Sequence, residues 1–277
     1  MNVEEFIRLA LEEDLGDGDH TSLSTIPGDH RGAAYLLVKQ EGILAGVSIA
    51  EKVFRHVDPD TQMDILIGDG TKIKPGDIVF QVRGRSVSLL SAERLALNFM
   101  QRMSGIATYA HSLVTLLNGL NTKLLDTRKT TPNFRYFEKE AVRIGGGVNH
   151  RMGLYDMIMI KDNHVDFAGG IEAAINSTHE YLNKHQKQLA IEIEVRTLDE
   201  LQQVLNTGGI SRIMFDNFSI ADMKKAVEMV GGKYETEASG GITEKTLRQV
   251  AETGVDFISV GALTHQVKSL DLSLKAR

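Results

Sequence analysis

The sequence contains no cysteine, which excludes disulfide bonds, thiolate zinc sites and cysteine nucleophiles. No apolar run approaches the roughly 18 residues that a membrane helix needs, and no apolar segment after MNVEEF suggests a signal peptide. The 31 Lys and Arg residues are outnumbered by 37 Asp and Glu residues, for a net charge of −6, whereas non-specific nucleic-acid binding needs a basic face. We therefore expect a cytoplasmic protein with no nucleic-acid partner and no membrane partner.

The first part of the chain has mixed helix and strand patterns separated by tight turns. Residues 3–14 have the apolar spacing of an amphipathic helix, and the following LGDGDHTS has the composition of a loop. Further on, VSLL is a possible strand, and Ser91 is a plausible N-cap for a long buried helix that Gly105 is expected to bend or interrupt. With 277 residues the chain can form two unequal domains, and we predict a mixed α+β domain over residues 1–108.

A regular alternation of strand and helix patterns begins at Lys123. The strand patterns cover residues 123–126, 156–160, 190–195, 212–216, 234–239 and 256–260. Such a cadence is typical of parallel βαβ units. A doubly wound sheet is the rival fold, but no GxGxxG follows a strand, and six strands are fewer than the eight of a complete barrel. We therefore predict an α/β protein whose N-terminal domain is followed by an incomplete parallel α/β barrel over residues 109–269, with a last strand at 270–277 that returns to the first domain.

A basic stretch runs from Lys123 to His164 within this acidic chain. It holds eight Lys or Arg residues against five Asp or Glu residues. Several of the cations follow strand patterns, and the carboxyl ends of parallel strands meet on the face that carries the chemistry. The basic residues expected on that face are Arg128, Lys129, His150, Arg151 and Lys161. Because arginine and lysine bind carboxylates and phosphates, the pattern predicts a pocket for a small, multiply anionic substrate.

Acidic residues occupy two of the later strand patterns. Glu192 and Glu194 share one face of their strand because side chains alternate with period two, and Asp216 ends the next strand. Glu194 and Asp216 could hold Mg²⁺ together with substrate oxygens, or they could pair with nearby Lys or Arg side chains. The pattern leaves both interpretations open. His164 could act as a base, although a structural role fits it better.

Glycine-rich loops follow the last two strand patterns. Their residues are Ser239, Gly240, Gly241 and Gly261. Backbone N–H groups that precede a helix bind phosphate, and phosphate sites after the last two strands recur in α/β barrels. An ordinary tight turn is the alternative, and we favour the phosphate site.

Several long motifs resemble one enzyme family, the quinolinate phosphoribosyltransferases. They are ERLALNFMQRMSGIAT, TRKTTPNFRYFEKEAVRIGGGVNHRMGLYDMIMIKDNH, EASGGIT and GVDFISVGALTH. The resemblance implies transfer of phosphoribosyl from phosphoribosyl pyrophosphate to quinolinate with decarboxylation, which gives nicotinate mononucleotide, pyrophosphate and CO₂ in NAD biosynthesis. It also implies Mg²⁺ as cofactor and a homo-oligomer that is at least a dimer.

The resemblance assigns roles to individual residues. It implies that Arg94 completes the site of a neighbouring subunit, and that Arg128, Lys129 and Thr130 contact both substrates. It implies a quinolinate clamp of His150, Arg151 and Lys161, Mg²⁺ and ribose contacts from Glu194 and Asp216, and 5′-phosphate loops at Ser239, Gly240, Gly241 and Gly261. The residues expected to take part in catalysis are Lys129, Lys161, Glu194 and Asp216. The chain departs from the family pattern at Asn133, Ile144 and Ala238, none of which is an expected contact, and Asn tolerates the left-handed backbone of a glycine position.

Three other functions are compatible with the pattern. A sister family that resembles nicotinate phosphoribosyltransferase uses a one-carboxylate substrate, whereas the number of cations here favours two carboxylates. A barrel aldolase would use Lys161 as a Schiff-base lysine. A non-catalytic phosphate-binding protein could retain the fold without the reaction.

Overall fold

The computed structural model describes residues 2–277, which form two compact units. The first unit comprises the chain up to His111 together with residues 131–146 and 263–277, and the second comprises residues 112–130 and 147–262. Within residues 2–277, no helix has both the length and the apolar character that crossing a membrane requires.

The first unit is a mixed α+β fold. Its helices are α1 (Val3–Leu15), α2 (His20–Thr25), α3 (Val47–Val57), most of α4 (Ser86–Leu116) and α5 (Arg135–Ile144). Its strands are β1 (Arg31–Val38), β2 (Gly42–Ile43), β3 (Gln62–Ile65), β4 (Lys72–Ile73), β5 (Ile78–Arg85) and β12 (Leu272–Ala276). An antiparallel sheet has the strand order β12-β1-β5-β3, and β2 pairs with β4. The last strand of the chain therefore lies beside the first one.

Four phenylalanine rings form a cluster in the core of this unit. Phe6 of α1 and Phe99 of α4 pack against Phe134 and Phe137, with ring centroids 4.8 to 5.9 Å apart. Burial of large aromatic side chains is among the strongest contributions to a core. This cluster is the physical reason why residues 131–146 belong to the first unit although they lie within the barrel sequence.

The second unit is a parallel α/β fold. Its strands are β6 (Lys123–Leu125), β7 (Ile158–Ile160), β8 (Ile191–Val195), β9 (Arg212–Asp216), β10 (Glu235–Ser239) and β11 (Phe257–Ser259). Its helices are α6 (Asp162–Ala168), α7 (Ile171–Lys184), α8 (Leu198–Thr207), α9 (Ile220–Val230) and α10 (Glu244–Ala251), and α11 (Ala262–His265) begins at its end. All six predicted strands are present and pair in parallel.

The strand order identifies this sheet as an opened barrel rather than a doubly wound sheet. The order is β6-β11-β10-β9-β8-β7, which is the chain order arranged as a ring with one opening between β6 and β7. A doubly wound sheet would instead reverse direction at an internal switch point. Val148 pairs with Leu125 beside β6 and lies on the side of this opening. The predicted incomplete α/β barrel after a mixed α+β domain is confirmed.

Two expectations about α4 are wrong. The helix begins at Ser86 rather than after Ser91, and VSLL belongs to it instead of to a strand. Buried Ser88, Leu89 and Ala92 follow helical spacing, so the short apolar run was ambiguous between the two periods. Gly105 does not interrupt the helix. A Cβ there would lie 2.2 Å from the carbonyl oxygen of Lys268, so this position needs glycine for the close approach of the neighbouring backbone.

Two smaller differences concern loops. LGDGDHTS is a loop only in its first half, because α2 begins at His20 and Asp19 caps it by accepting a hydrogen bond from the Ser22 N–H. Asn133 adopts a left-handed backbone with φ 62°, as expected where the family pattern has glycine.

Candidate active site

The residues that end the barrel strands lie on one edge of the parallel sheet. Lys161 directly follows β7, Glu194 is the penultimate residue of β8, and Asp216 and Ser239 end β9 and β10. In register, Asp216 pairs with Ser239, whereas Glu194 pairs with Met214 two residues earlier. Because all six strands are parallel, these side chains share the carboxyl edge of the barrel, where α/β barrels carry their chemistry.

Deeper inside the barrel, four polar residues meet in what we call the interior cluster: His150, Glu192, Arg212 and Glu237. The Nε2 atom of His150 lies 2.9 Å from Glu192 Oε2 and 3.5 Å from Glu237 Oε2. Arg212 Nη1 lies 3.1 Å from Glu237 Oε2, and its guanidinium stacks 4.1 Å from the centroid of the Phe257 ring. His150 belongs to the segment beside β6, which is four places from β8 in the sheet, so these contacts require the sheet to curl around a closed interior.

The charges of the interior cluster require an additional proton. Both glutamates are fully buried, and one guanidinium faces two carboxylates. Burial lowers the pKa of His150, but the two carboxylates outweigh it and raise the pKa to about 9. Burial also raises the pKa of Glu192, whereas His150, Ser259 and Arg212 together hold the pKa of Glu237 below its usual value despite burial. At neutral pH the cluster therefore retains one proton more than separate groups would.

The two nitrogens of the His150 ring face different partners. The backbone N–H of Arg151 donates to Nδ1 at 2.7 Å, and Nε2 faces the two carboxylates. Only 5% of the His150 side chain is exposed. In this structure the ring faces the carboxylates of Glu192 and Glu237, and the substrate contact predicted for His150 stays a prediction.

Two acids that the sequence analysis did not single out shape the loop that carries Arg151. Asp126, fully buried after β6, accepts the His150 backbone N–H at 2.8 Å. Asp156 accepts the backbone N–H groups of Met152 and Gly153 at 2.7 and 2.8 Å. Partial burial raises the pKa of Asp156, but these hydrogen bonds outweigh it and lower the pKa below its usual value. Both acids therefore fix the backbone on either side of Arg151.

Arg128 and Arg151 form a pair of cations without acidic partners. Within residues 2–277, neither guanidinium makes an ion pair with a carboxylate. Burial lowers the pKa of Arg151, and the nearby Arg128 cation lowers it further. Arg151 Nη1 donates to the Met157 carbonyl at 3.1 Å, which leaves further donors for a ligand. Two guanidinium groups held near each other in this way attract anions.

Lys161 and Glu194 pair across the carboxyl edge. Lys161 Nζ lies 2.7 Å from Glu194 Oε2, with the lysine side chain half-exposed and the carboxylate nearly buried. Of the two interpretations left open for Glu194, the structure shows the ion pair. His164 accepts the backbone N–H of Lys161 through Nδ1 at 3.0 Å, which is a structural role at the start of α6.

Asp216 is suited to a cation in a way that Glu194 alone is not. It is partly exposed, and its Oδ2 accepts a hydrogen bond from the Asn217 side chain at 2.8 Å. No Lys, Arg or His among residues 2–277 forms an ion pair with it. Carboxylate oxygens on neighbouring strands are the ligands that Mg²⁺ prefers, so this donor set fits the predicted ion.

The glycine-rich loop after β10 has little steric freedom. Gly240 has φ +95° and Gly241 has φ +60°, both in the region that favours glycine. A Cβ on Gly240 would lie 2.2 Å from Asn217 Oδ1 and 2.9 Å from its backbone nitrogen. Ser239 accepts the Asn217 N–H at 2.9 Å, so the loops after β9 and β10 are tied together. The tight turn is present, and the phosphate site stays a prediction.

The remaining predicted residues lie on exposed segments. Lys129 is exposed after β6, where its backbone N–H donates to Thr127 Oγ1 at 3.0 Å, and Thr130 is half-buried. Gly261 precedes α11. Arg94 is exposed on α4, in the first unit.

A cavity of about 360 Å³ lies in the second unit beside the free edge of β7. Arg151 and His164 contribute to its wall together with apolar residues of β7 and α7. Small-molecule sites of this kind are largely apolar, with a few polar groups that fix the ligand. The size is sufficient for an aromatic acid.

Comparison with known proteins identifies the family. Residues 19–104 match the quinolinate phosphoribosyl transferase N-terminal domain, and residues 106–275 match the C-terminal domain of the same family. This chain belongs to the quinolinate phosphoribosyltransferase family. Its two matched regions meet within α4, so the family match covers both units.

Individual members of the quinolinate phosphoribosyltransferase family are similar over nearly the whole chain. Quinolinate phosphoribosyltransferase [decarboxylating] 1b from Nicotiana tabacum is 45% identical over 97% of this chain and 81% of its own length. The crystal structure of NadC from Streptococcus pyogenes is 36% identical with a TM-score of 0.94, covering 99% of this chain and 95% of that one. The nicotinate-nucleotide pyrophosphorylase from Francisella tularensis is 41% identical with a TM-score of 0.93, covering 99% and 96%.

The interior cluster is the part of the candidate site that the sequence pattern did not predict. Glu192 was noted as an inward-facing acid, but Arg212 and Glu237 were not considered. Glu235, Glu237 and Ser239 share one face of β10 by the same alternation. That signal could have identified Glu237, although nothing in it indicates His150 as the partner.

Proposed function

We propose that this chain transfers the phosphoribosyl group of phosphoribosyl pyrophosphate to quinolinate and releases CO₂, which yields nicotinate mononucleotide and pyrophosphate. Family membership supports this reaction. The observation that carries the substrate class is the pair of guanidinium groups, Arg128 and Arg151, that have no acidic partner within residues 2–277. A dicarboxylate neutralises such a pair, because each carboxylate binds a guanidinium through two parallel hydrogen bonds.

The bond changes follow from the substrates. The pyridine nitrogen attacks the anomeric carbon of the ribose, and the bond from that carbon to pyrophosphate breaks with both electrons on the leaving oxygen. The ring nitrogen is then positively charged. When the bond between C2 and its carboxylate breaks, the electron pair stays on C2 next to that nitrogen, CO₂ departs, and a proton from solvent completes the product.

Lys161 and Glu194 have complementary tasks in this proposal. Lys161 approaches the carboxylate that departs, and its ion pair with Glu194 limits how strongly it holds that group. A lysine bound too tightly to the carboxylate would stabilise the ground state and slow the loss of CO₂. Glu194 and Asp216 also stabilise positive charge that develops on the ribose.

Mg²⁺ is the proposed cofactor, held by Asp216 and Glu194 and partly through water. When bound, it neutralises charge on the pyrophosphate that leaves. Ser239, Gly240, Gly241 and Gly261 are the proposed binding loops for the 5′-phosphate, and Lys129 and Thr130 the proposed contacts to both substrates.

The assembly and location are also proposals. A homo-oligomer, at least a dimer, would allow Arg94 of one subunit to complete the site of another. The cytoplasmic location expected from the sequence stays a prediction.

One assay tests the function directly. Purified protein is incubated with Mg²⁺, phosphoribosyl pyrophosphate and quinolinate labelled in the 2-carboxylate, and labelled CO₂ and pyrophosphate are followed together. We expect equal amounts of both. If nicotinate in place of quinolinate supported pyrophosphate release without CO₂, at a rate equal to or higher than that with quinolinate, the nicotinate phosphoribosyltransferase interpretation would be favoured instead. Quinolinate binding without either product would favour a non-catalytic protein.

A further inference from the structure

Asn217 has a backbone conformation that few residues with a side chain adopt. It follows directly after β9, which ends at Asp216, and its φ of 55° lies in the left-handed region. Among residues 2–277, Asn133 and Gln186 are the only other non-glycine residues with a positive φ. Asparagine tolerates this region better than most residues, and such conformations are concentrated at functional sites. The position therefore needs an explanation in terms of either backbone or side chain.

The Asn217 side chain makes two contacts at the carboxyl edge of the barrel. Its amide nitrogen Nδ2 donates a hydrogen bond to Asp216 Oδ2 at 2.8 Å. Its amide oxygen Oδ1 occupies the space beside Gly240, 2.2 Å from where a Cβ of that residue would lie. The Asn217 backbone N–H also donates to the Ser239 carbonyl at 2.9 Å. Asn217 thus connects the Asp216 carboxylate to the loop after β10.

The Asp216 carboxylate depends on this amide for its orientation. Asp216 is partly exposed, and within residues 2–277 its side chain accepts a hydrogen bond from Asn217 alone. A carboxylate on two rotatable bonds populates several rotamers when nothing holds it. The hydrogen bond from Nδ2 selects one of them. Because Oδ1 of the same amide lies against Gly240, that rotamer is set relative to the loop after β10.

We propose that Asn217 is a positioning residue for phosphoribosyl pyrophosphate, which holds the Asp216 carboxylate at a fixed distance from the loop that begins at Gly240. The proposal rests on the proposed function, which assigns Asp216 to the ribose and the metal and assigns the loop to the 5′-phosphate. Groups that are held in place before the substrate arrives bind it more tightly, because they lose less conformational freedom on binding.

Tolerance of the left-handed backbone is the rival explanation for an asparagine at this position. Glycine and aspartate tolerate the same backbone, but neither side chain donates a hydrogen bond when aspartate is ionised. Asn217→Gly keeps the backbone and removes both contacts of the side chain. Asn217→Asp keeps the size of the side chain and places a second carboxylate where the donor was. If backbone tolerance were the only requirement, both variants would bind the substrates normally.

Binding and kinetics of these variants test the proposal. Gln186→Gly is the matched control, because Gln186 has φ 52° and lies between α7 and β8, at the amino end of the strand. Calorimetry with Mg²⁺ and phthalate, an aromatic dicarboxylate that lacks the reacting ring nitrogen, gives the Kd for phosphoribosyl pyrophosphate without turnover. We expect Asn217→Gly and Asn217→Asp to raise this Kd and the corresponding KM about 10-fold. The Kd for quinolinate, and both affinities of Gln186→Gly, should stay within about twofold of the wild type.

Two further measurements keep the test decisive. Urea denaturation should give Asn217→Gly a midpoint close to that of the wild type, since glycine adopts this backbone without steric cost. A crystal structure of the wild type with phosphoribosyl pyrophosphate bound, which needs no variant, should keep Asn217 Nδ2 within hydrogen-bond distance of Asp216. Loss of that hydrogen bond in the complex would overturn the proposal.

The other outcomes separate the positioning role from the proposed function. A wild-type Kd for phosphoribosyl pyrophosphate in either Asn217 variant, or equal losses of affinity for both substrates, would overturn the positioning role. A wild type that neither binds phosphoribosyl pyrophosphate nor turns it over would refute the proposed function. An active wild type with indifferent variants would refute the positioning role alone.

Discussion

The loop after β10 allows a quantitative prediction for Gly240→Ala. The added Cβ would lie 2.2 Å from Asn217 Oδ1 and 2.9 Å from the Asn217 backbone nitrogen, on a residue with φ +95°. The backbone conformation costs about 1–2 kcal/mol for a residue with a side chain, and forced overpacking costs about 1–3 kcal/mol more. We expect the free energy of unfolding, from urea denaturation, to fall by about 2–5 kcal/mol.

The same substitution should affect one substrate more than the other. Displacement of Asn217 disturbs its hydrogen bond to Asp216 and the loop proposed to bind the 5′-phosphate. We expect the KM for phosphoribosyl pyrophosphate to rise about 10-fold or more, since each 1.4 kcal/mol of lost binding is tenfold, while the KM for quinolinate changes little.

Gly232→Ala is the matched control for backbone strain. Gly232 also has a positive φ, +75°, but a Cβ there would meet nothing within 4 Å. Its cost should be confined to the backbone, about 1–2 kcal/mol, without an effect on either KM. If Gly240→Ala were no more destabilising than Gly232→Ala, the steric reasoning would be refuted, and an unchanged KM for phosphoribosyl pyrophosphate would remove this loop from the phosphate site.

Three further predictions concern the other charged groups. Lys161→Ala should raise the Kd for quinolinate and lower kcat, each by roughly 10-fold or more, because a charge-assisted hydrogen bond is lost. Binding and turnover assays measure the two effects. In the interior cluster the pKa of His150 is raised from 6.5 to about 9, so between these pH values the folded state keeps a proton that the unfolded state releases. The free energy of unfolding, measured by urea denaturation, should therefore fall by up to ~3 kcal/mol as the pH rises from about 6.5 to 9. Mixing Arg94→Ala with Lys129→Ala subunits, each inactive alone, should restore about a quarter of the activity of a dimer, because half of randomly mixed dimers contain one intact site of two.

Each of these has an outcome that would contradict it. Normal quinolinate binding and turnover by Lys161→Ala would remove Lys161 from the site. A free energy of unfolding that stays constant or rises between pH 6.5 and 9 would exclude the additional proton. Glu192→Gln should make the free energy of unfolding depend less steeply on pH, because one carboxylate that attracts the His150 proton is gone. An absence of recovery after subunits exchange would count against a site shared between subunits.

The strand positions and the edge residues could be predicted from the sequence because they depend on local periodicity. Alternating strand and helix patterns located all six barrel strands, and parallel strands necessarily bring their carboxyl ends together. For that reason the amino-acid pattern alone assigns Lys161, Glu194, Asp216 and Ser239 to one edge of the sheet. The long motifs identified the family, since their order and length are specific to it.

Only the tertiary structure decided which groups face each other. His150 contacts Glu192 and Glu237 because the sheet curls until the segment beside β6 meets β8 and β10, and curvature is not encoded in any local pattern. Gly105 lies within an uninterrupted helix, and its role there is to admit the Lys268 carbonyl, a contact that depends on the packing of segments distant in the sequence. The sequence determined where the charged residues stand along each strand, while the closure of the barrel decided that one histidine would be buried beside two carboxylates.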